Sequence, residues 1–414
     1  MNFAKILSKK IALKKANIGV IGMGYVGSAL AQAIAKARFS VLGFVRKTEK
    51  ENQINSQKIK RIKATTKTNL LVNCDIILVC VQTPIFADKT PDLSFLKKAA
   101  IQISQYLRKG QLIIIESSVP VGTTRDTVLP ILQKSSLKAG KDFFLAYSPE
   151  RVDPGNKKFA LKDIPKVVSG FDKKSKDLVA KFYGRVLKKV VPVSSLETAE
   201  LVKLLENTFR LVNISFVNEL ADYTKSLGVD IWEVIKASAT KPFGFLAHYP
   251  GPGVGGDCIP VVPYYLVHDA KKRGVSLKLI KQAGKINDAQ PKKVVKRTIE
   301  ILNATIRQKK KHKVLLVGVS YKPDVNDTRE SPALRIWEIL KRRGISVSYH
   351  DPFVPNINGF YSKSLSKQVI EQHDMIVIVT NHSNIKYRTL QRFKKPILDT
   401  RNVFKNKYPN VYNI

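Results

Sequence analysis

Short apolar runs alternate with helical patterns in the first half of the chain. The segment DLSFLKKAAIQISQYL between two of these runs has the spacing of an amphipathic helix. Continuous apolar strands separated by helices are typical of a parallel sheet that is covered on both faces. The apolar runs are NIGVIGMG, SVLGFV, CDIILVCV and QLIIIESS. This pattern predicts a doubly wound α/β domain.

A long helical pattern follows from Ser195 to about Gly228, and glycine is a typical helix stop. More helical segments continue to about Arg307, and the run HKVLLVGVSY at 312–321 then opens a second strand–helix–strand unit. This unit is a weak internal repeat of the first. It has a polar loop, SYKPDVNDTRES, where the first has glycines, so the two units are predicted to bind different ligands.

The predicted fold class is α/β, with two doubly wound Rossmann-like domains joined by a long central helix and a helical region. The predicted domains are residues 1–194, 195–307 and 308–414. The length of 414 residues agrees with two or three domains, because single cores stop growing at about 250–300 residues.

The composition predicts a cytoplasmic protein. Three cysteines argue against a disulfide framework and for a reducing compartment. The first residues lack the uninterrupted apolar region of a signal peptide, and no run approaches the roughly 20 apolar residues that span a bilayer. We therefore expect no membrane partner, and no metal site is predicted.

The formal net charge of +40 raises the question of a nucleic-acid partner. The lysines are spread along the whole chain, and apart from the N-terminal segment the short basic cluster is RQKKKHK at 307–313. The aromatic residues are not interleaved with the basic ones, as a base-stacking surface requires. We expect no nucleic acid as the main partner; a basic surface also attracts phosphorylated small molecules, and a lysine-rich proteome is an alternative explanation.

The segment GMGYVG supplies Gly22, Gly24 and Gly27 in the G-x-G-x-x-G spacing, after a strand and at the start of a helix. These glycines permit a tight turn, close approach of a pyrophosphate and close packing of helix on strand. The interpretation is a dinucleotide site, and the alternative is a glycine-rich packing turn. The acid that usually holds the ribose is replaced by Val45, followed by Arg46. Either NADP binds, with Arg46 on its 2′-phosphate, or NAD binds with fewer ribose hydrogen bonds.

Cys258 follows Gly255, Gly256 and Asp257 and precedes a helix expected to begin near Pro263. Backbone N–H groups and a helix N-terminus can make such a thiol nucleophilic, although a lone cysteine in a loop is often incidental. Cys74 and Cys80 flank an apolar strand and are interpreted as small core residues.

Lys203 and Asn207 lie four residues apart in the long helix and therefore on one face. An ammonium and an amide beside a thiolate are what an oxyanion needs when the sulfur adds to an aldehyde. The alternative is a solvated lysine beside a surface asparagine.

Eight segments spread over nearly the whole chain carry a family resemblance: GVIGMGYVG, VCVQTP, ESSVPVGTT, YSPERVDPG, AELVKLLENTFRLVNISFVNEL, KPFGFLAHYPGPGVGGDCIP, VGVSYKPDVNDTRESPAL and LDTRNVF. With these segments in this order, the chain resembles the UDP-glucose/GDP-mannose dehydrogenases, which oxidise nucleotide-sugar alcohols to uronic acids. The segment TKPFGFLAHYPGPGVGG is most similar to members acting on UDP-N-acetylhexosamines, such as the UDP-N-acetylglucosamine 6-dehydrogenases. The resemblance implies an N-terminal NAD domain, a central region that forms a homodimer, and a C-terminal domain that binds UDP.

The resemblance implies a four-electron oxidation through a thiohemiacetal and a thioester on Cys258. Lys203 and Asn207 would stabilise the oxyanion, Glu150 would act as acid and base with a water, and Ser118 would take the place of the family's hydroxyl residue. Surface-polysaccharide precursor synthesis is the implied pathway. The implied cofactor residues are Gly22, Gly24, Tyr25, Val26, Gly27, Arg46, Thr83, Pro84 and Ser118. The implied substrate residues are Glu150, Arg151, Lys203, Asn207, Lys241, Tyr249, Gly255, Lys322, Arg329 and Arg401.

Two residues depart from the family pattern. Asp257 stands where relatives have a histidine, and Val262 stands where they have an aspartate near the catalytic water. An anion beside the thiol disfavours the thiolate, and loss of the other acid slows proton transfer or thioester hydrolysis. Either Asp257 takes over from the missing acid, or the enzyme is impaired.

Two other functions stay open on the sequence alone. One is a two-electron 3-hydroxyacid dehydrogenase of related architecture, against which Cys258 and the second nucleotide domain argue. The other is a catalytically weak nucleotide-sugar binding protein, which the substitutions at 257 and 262 favour. UDP-glucose and UDP-N-acetylmannosamine are alternative substrates for the oxidation.

Overall fold

The computed structural model describes residues 2–151, 159–306, 311–406 and 408–414. The chain forms two compact units. The first unit contains Met1–Glu206 and Tyr264–Val275, and the second contains Asn207–Pro263 and Ser276–Ile414. The three predicted domains stay a prediction, and their boundary at 307/308 lies outside the described residues.

One sheet organises the first unit. Its order is β3-β2-β1-β4-β5-β6-β7-β8 within the described part of the chain, and neighbours are parallel except β6 and β7, which are antiparallel. The strands are β1 Asn17–Ile21, β2 Ser40–Phe44, β3 Ile62–Thr65, β4 Ile76–Val79, β5 Leu112–Ile115, β6 Phe144–Tyr147, β7 Lys166–Gly170 and β8 Val190–Pro192. The first six follow the dinucleotide-binding order.

Both faces of this sheet are covered. Successive side chains of β4 point to opposite faces, so Ile76 and Leu78 enter one hydrophobic core and Ile77 and Val79 enter another. This explains why its strands are continuously apolar. The helices of this unit are α1 Phe3–Ala12, α2 Tyr25–Lys36, α3 Thr48–Ser56, α4 Ser94–Tyr106, α5 Leu129–Gln133 and α6 Lys173–Tyr183.

A helical region follows, as the sequence predicts. Its first helix ends just before Gly228, whose φ of 69° is in the left-handed region that stops helices. Its helices are α7 Leu196–Ser226, α8 Ile231–Ser238, α9 Val262–Lys272 and α10 Lys278–Thr305. Among the described helices, none combines the length and the apolar content needed to cross a membrane.

The second unit has its own parallel sheet, of order β10-β9-β13-β14-β15 among the residues placed. Its elements are β9 Lys313–Val317, α11 Pro332–Arg342, β10 Ser346–His350, β11 Asn356–Ile357, β12 Phe360–Tyr361, α12 Lys367–Glu371, β13 Met375–Ile378, β14 Ile397–Asp399 and β15 Val411–Asn413. In its own strand sequence this order is 2-1-3-4-5, a doubly wound topology that binds ligands beyond its carboxyl ends. The fold class predicted from the sequence is confirmed.

Candidate active site

The glycine turn after β1 has the geometry of a phosphate cradle. Gly22 has a φ of +93°, and a Cβ there would lie 2.5 Å from the carbonyl oxygen of Cys80. A Cβ on Gly27 would lie 2.0 Å from the carbonyl oxygen of Gly22, whereas a Cβ on Gly24 would meet no atom within 4 Å. Gly24 precedes α2 without a side-chain cap, so N–H groups at the helix start face this open space. Tyr25 and Val26 form the first turn of α2, and these residues together fit a dinucleotide pyrophosphate.

Beyond β2, the ribose-binding acid is absent at the expected place. Val45 is half-buried, and its N–H donates to the carbonyl oxygen of Thr65 at 3.0 Å. Arg46 is exposed, and its guanidinium carbon lies 5.3 Å from the ring centroid of Phe95. The chain therefore has a cation directly after the position where a carboxylate usually binds the ribose hydroxyls.

Two predicted cofactor residues meet beyond β4 and β5. The Thr83 hydroxyl donates to the carbonyl oxygen of Ser118 at 2.6 Å, and the Tyr265 hydroxyl donates to the carbonyl oxygen of Thr83. Pro84 is exposed beside them. Glu200 of α7 holds the loop after Ser118 by accepting from the N–H groups of Gly122 and Thr124, at 2.6 and 2.9 Å.

Glu150 belongs to a buried charge cluster that the sequence did not predict. The ammonium of Lys166 in β7 lies 2.5 Å from Glu116 Oε2 and 3.5 Å from Glu150 Oε2. The Tyr183 hydroxyl donates to Glu116 as well. Burial, together with the charge of Glu150, raises the pKa of Glu116 to about 7 against the opposing effect of Lys166. One signal was present in the sequence: charged Glu116 and Lys166 stand at the ends of otherwise apolar strands.

Arg151 does not pair with the neighbouring carboxylate. Its guanidinium binds Glu206, with Nη2 at 2.6 Å from Oε1, and donates to the carbonyl oxygen of Pro165 at 2.8 Å. Its backbone N–H donates to Glu150 Oε1 at 2.7 Å. The guanidinium of Arg151 and the carboxylate of Glu150 therefore do not form a surface ion pair.

Lys203 and Asn207 lie one turn apart on α7, and both are buried rather than solvated. The amide nitrogen Nδ2 of Asn207 has no hydrogen-bond partner among the described residues. A buried donor without a partner is unfavourable unless a ligand satisfies it. The alternative of a surface asparagine is thus wrong, and the amide is available to a bound oxyanion.

The loop before α9 presents the thiol of Cys258 to solvent. Glycine is required in this loop, because Gly256 has a φ of +83° and a Cβ there would lie 2.9 Å from the ring of Tyr321. A Cβ on Gly255 would lie 2.7 Å from the backbone oxygen of Glu330. The carbonyl oxygen of Cys258 accepts from the N–H of Val262, the first residue of α9, at 2.9 Å. The cysteine therefore lies one turn before the helix, as predicted.

The two other cysteines behave as the sequence predicts for core residues. Cys74 is fully buried, and burial next to Asp75 raises the pKa of its thiol to about 12. Cys80 is half-buried, and burial raises its thiol pKa well above the ordinary value. Neither thiol is suited to nucleophilic chemistry.

Both departures from the family pattern have a structural setting. Asp257 is exposed, its Oδ1 lies 3.6 Å from Cys258 Sγ, and its Oδ2 is bound by Arg329. Arg329 also binds Asp327, with Nε at 3.0 Å from Oδ1 and Nη2 at 2.5 Å from Oδ2. Val262 is 1% exposed, so its side chain is a core residue.

The remaining predicted substrate residues lie in the second unit. Arg401 donates to the carbonyl oxygen of Val379 at 2.7 Å, and burial lowers its pKa to about 10, so it stays charged at neutral pH. Tyr249 stacks on Trp232 with ring centroids 5.1 Å apart. Lys322 is half-buried in the loop after β9, and Lys241 is exposed.

The predicted residues divide between the two units. The cofactor residues, Ser118, Glu150, Arg151 and Lys203 belong to the first, whereas Asn207, Cys258, Arg329 and Arg401 belong to the second with the other substrate residues. The roles assigned to them stay predictions.

Comparison with known proteins identifies the family. The UDP-glucose/GDP-mannose dehydrogenase family matches in three parts: its NAD binding domain at 55–187, its central domain at 197–289 and its UDP binding domain at 315–406. The chain belongs to this family. The NAD binding domain of the D-isomer specific 2-hydroxyacid dehydrogenases also matches residues 4–90, which contain the glycine turn.

Similar family members are known from archaea and bacteria. A UDP-N-acetyl-D-mannosamine dehydrogenase of Pyrococcus horikoshii is 33% identical over 410 residues, covering 94% of this chain and 96% of that protein. A UDP-N-acetyl-D-glucosamine 6-dehydrogenase of Pseudomonas aeruginosa is 32% identical over 401 residues, covering 92% and 94%. The solved Pyrococcus horikoshii UDP-D-ManNAc dehydrogenase superimposes with a TM-score of 0.87 at 31% identity, covering 96% of this chain and 98% of that one.

Family membership confirms several expectations. The chain is an oxidoreductase of the nucleotide-sugar dehydrogenase family with an NAD-binding domain and a UDP-binding domain. The whole-chain match removes the 3-hydroxyacid dehydrogenase alternative. Both acetylated hexosamines occur among the named substrates of similar members, so the relatives support either sugar equally.

Proposed function

We propose that the protein is a UDP-N-acetylhexosamine 6-dehydrogenase that oxidises the C6 hydroxyl to the carboxylate, with UDP-N-acetylglucosamine or UDP-N-acetylmannosamine as substrate. The observation that carries the proposal is the solvent-exposed thiol of Cys258 on a glycine loop that cannot accept side chains. Relatives that match nearly the whole chain and are named for these two sugars support the choice of substrate.

The chemistry has two oxidations and one hydrolysis. The glycine turn of the first unit would hold NAD, which would supply the hydride acceptor for both oxidations. In the first oxidation the hydroxyl proton passes to a water held by Glu150, and the alcohol becomes an aldehyde. Cys258 Sγ then bonds to the aldehyde carbon, the resulting thiohemiacetal is oxidised to a thioester, and water displaces the sulfur to give the carboxylate.

The remaining roles follow from the side chains. Lys203 and Asn207 stabilise the oxyanion that forms when sulfur or water adds to the carbonyl, and the unpartnered Nδ2 of Asn207 supports this role. Ser118 helps to hold the water. The UDP group is bound by Tyr249, Gly255, Lys322 and Arg401, of which the lysine and the arginine supply the cations that a diphosphate needs. Arg151 and Arg329 are already bound to carboxylates, and substrate would have to compete for them.

A homodimer is part of the proposal. Phe209, Phe216 and Tyr223 recur every seven residues on α7, and all three are exposed apolar side chains. Such a stripe favours burial against a second copy. Lys241 is then expected to reach the neighbouring subunit's substrate. Light scattering should give a mass near twice 46.4 kDa, and Phe216→Arg should give the mass of one chain.

The test of the activity is the number of reduced cofactors per sugar. We expect two equivalents of NADH per UDP-N-acetylhexosamine over many turnovers. The variant Cys258→Ser should form no second equivalent of NADH. A burst that stops near one enzyme equivalent would indicate a trapped thioester and an impaired enzyme. Binding of both UDP-sugars without any NADH or NADPH would instead identify a binding protein.

A further inference from the structure

The ammonium of Lys166 lies between two buried carboxylates. Its three N–H donors have three acceptors: Glu116 Oε2 at 2.5 Å, the carbonyl oxygen of Pro149 at 3.1 Å and Glu150 Oε2 at 3.5 Å. The three charged side chains are each at most 8% exposed. One cation therefore serves two anions, and it lies closer to the anion that the proposed mechanism does not use.

This arrangement is built from separate elements of the first unit. Glu116 and Glu150 follow β5 and β6 at the carboxyl edge of the sheet, and Lys166 begins β7. Because β7 runs antiparallel to β6, it begins at the edge of the sheet where β5 and β6 end, and Lys166 is its first residue. The reversed strand thus has a definite effect, since it brings a cation to the edge that carries the acids.

Several titratable groups surround Glu116 from the elements packed against it. Burial opposes the charge of Lys166, but the two carboxylates raise its pKa above the ordinary value, so it stays an ammonium. Cys80 and Tyr147 keep neutral side chains, because burial raises both pKa values. The groups that face Glu116 are Cys80, Tyr147, Glu150, Lys166 and Tyr183.

We propose that Lys166 and Glu116 are positioning residues for Glu150, and that the proton on Glu116 decides how fully the shared ammonium serves Glu150. With Glu116 ionised, the ammonium is held mainly by Glu116. With Glu116 protonated, Lys166 is attracted to the remaining anion, and the ionised form of Glu150 is stabilised in the orientation fixed by Arg151 N–H. This inference rests on the proposed function of Glu150 as acid and base.

The first test uses two substitutions with different expected effects. Lys166→Met removes the cation, so the acidic limb of the kcat/KM profile should move to higher pH by about one unit. Glu116 already carries its proton below about pH 7, so Glu116→Gln should leave that limb in place and remove the change in kcat/KM that ionisation of Glu116 produces near pH 7. Glu150→Gln identifies the limb by abolishing it. A structural role alone would lower activity at all pH values without moving the limb or removing the change near pH 7.

Two further variants control for stability. Lys166→Met leaves buried anions unpaired and could prevent folding, so the double variant Glu116→Gln/Lys166→Met keeps the cluster uncharged apart from Glu150. Its limb should lie at the same pH as that of Lys166→Met and above that of Glu116→Gln. Lys10→Met removes an ammonium 2.8 Å from buried Asp75, which precedes β4 at the opposite edge of the sheet. This variant should lower the melting temperature without moving the limb, and a shift in it as large as in Lys166→Met would overturn the proposal.

The second test needs no substrate, so it separates this inference from the proposed function. Infrared titration of the free protein should show a carboxyl band that disappears in Glu116→Gln. If Lys166 is shared, Glu150→Gln should move the midpoint of that band down by about one pH unit, because the ammonium then serves Glu116 alone. An unchanged midpoint overturns the sharing. A shifted midpoint with an unmoved kinetic limb in Lys166→Met overturns the positioning role, and a shifted midpoint in a protein without dehydrogenase activity refutes the proposed function alone.

Discussion

The carboxylate of Asp257, the residue before Cys258, is bound by the guanidinium of Arg329. The anion that replaces the family histidine is therefore paired, which weakens its expected effect on the adjacent thiol. Arg329 is also bound to Asp327, so its cation is shared by two carboxylates. The sequence alone assigned Arg329 to the substrate, and that role stays a prediction beside the contact that the structure shows.

Removing the guanidinium should slow alkylation of Cys258. The carboxylate of Asp257 has its Oδ1 3.6 Å from Cys258 Sγ, and in Arg329→Met it no longer has a cation beside it. This unpaired anion disfavours the thiolate. We expect iodoacetamide to modify Cys258 about tenfold more slowly at neutral pH, which corresponds to a rise of about one unit in the pKa of the thiol. Peptide mass spectrometry of the free protein measures the rate, with buried Cys74 as an internal reference.

The matched control is Asp257→Asn. It removes the anion and leaves Arg329, so alkylation should be faster than in the wild type. The double variant Arg329→Met/Asp257→Asn should return the rate to near the wild-type value. Equal rates in all four proteins would show that the ion pair has no influence on the thiol.

Restoring the family acid at Val262 should reduce stability. The side chain is 1% exposed, so Val262→Asp places a carboxylate in the core at a cost of roughly 2 kcal/mol or more in the free energy of unfolding. The loss should be larger at about pH 8 than at about pH 5, because protonation removes the buried charge. Urea unfolding measures it, and Val262→Thr is the control of similar shape.

Turnover of the same variant answers the question raised by the sequence. If an acid at this position assists proton transfer or hydrolysis, Val262→Asp should have a higher kcat than the wild type despite its lower stability. An unchanged kcat in a folded variant would show that position 262 has no catalytic role in this chain.

Glu200 should make the protein less stable as pH rises from about 5 to about 8. Burial raises its pKa to about 7 from 4.5, against the hydrogen bonds from Thr124 and Gly122. Between these values the folded state binds more protons than the unfolded state, so the free energy of unfolding falls with rising pH. The contribution is roughly 3 kcal/mol, fully present below pH 4.5 and lost through pH 7.

Glu200→Gln should therefore flatten the pH dependence of urea unfolding. Glu116 contributes with the same sign and remains in the variant, so some slope should persist. A profile as steep as that of the wild type would show that Glu200 is ionised in the folded protein throughout this range.

Val45→Asp should strengthen NAD binding. The position directly follows β2, where a carboxylate accepts hydrogen bonds from the ribose hydroxyls. We expect the KM for NAD to fall by about tenfold, or ~1.4 kcal/mol, with little change in kcat. Val45→Asn is the control without charge.

The same assays with NADP, in Arg46→Ala and in the wild type, decide whether Arg46 binds a 2′-phosphate; equal KM values for NADP would show that it does not.

Local patterns in the sequence were sufficient for the elements of the site that depend on neighbouring residues. The glycine turn after β1, helix α7 and the cysteine one turn before α9 each follow from spacing within a few residues. The structure confirms the geometry of these three elements. Backbone sterics and the helical period act over a few residues, so local patterns are enough to predict such elements.

Contacts between distant residues could not be predicted in this way. Lys166 and Glu116 are 50 positions apart, and Arg329 and Asp257 are 72 apart. The pairing of Lys166 with Glu116 depends on strand order and on the reversed direction of β7, and a strand of five residues does not reveal its direction. Such pairs decide the charge around Glu150 and Cys258, so the sequence predicted an acid and a nucleophile but not what surrounds them.

The buried pair of Glu116 and Lys166 also constrains how this protein can diverge. A neutral replacement of Lys166 leaves Glu116 and Glu150 without their cation, whereas a neutral replacement of Glu116 leaves Lys166 paired with Glu150. Descendants should therefore lose Glu116 before Lys166 or together with it, with arginine as the conservative exchange for the lysine. A lineage that lost Lys166 first would have passed through an ancestor of reduced stability, so Lys166 should be retained wherever Glu116 is present.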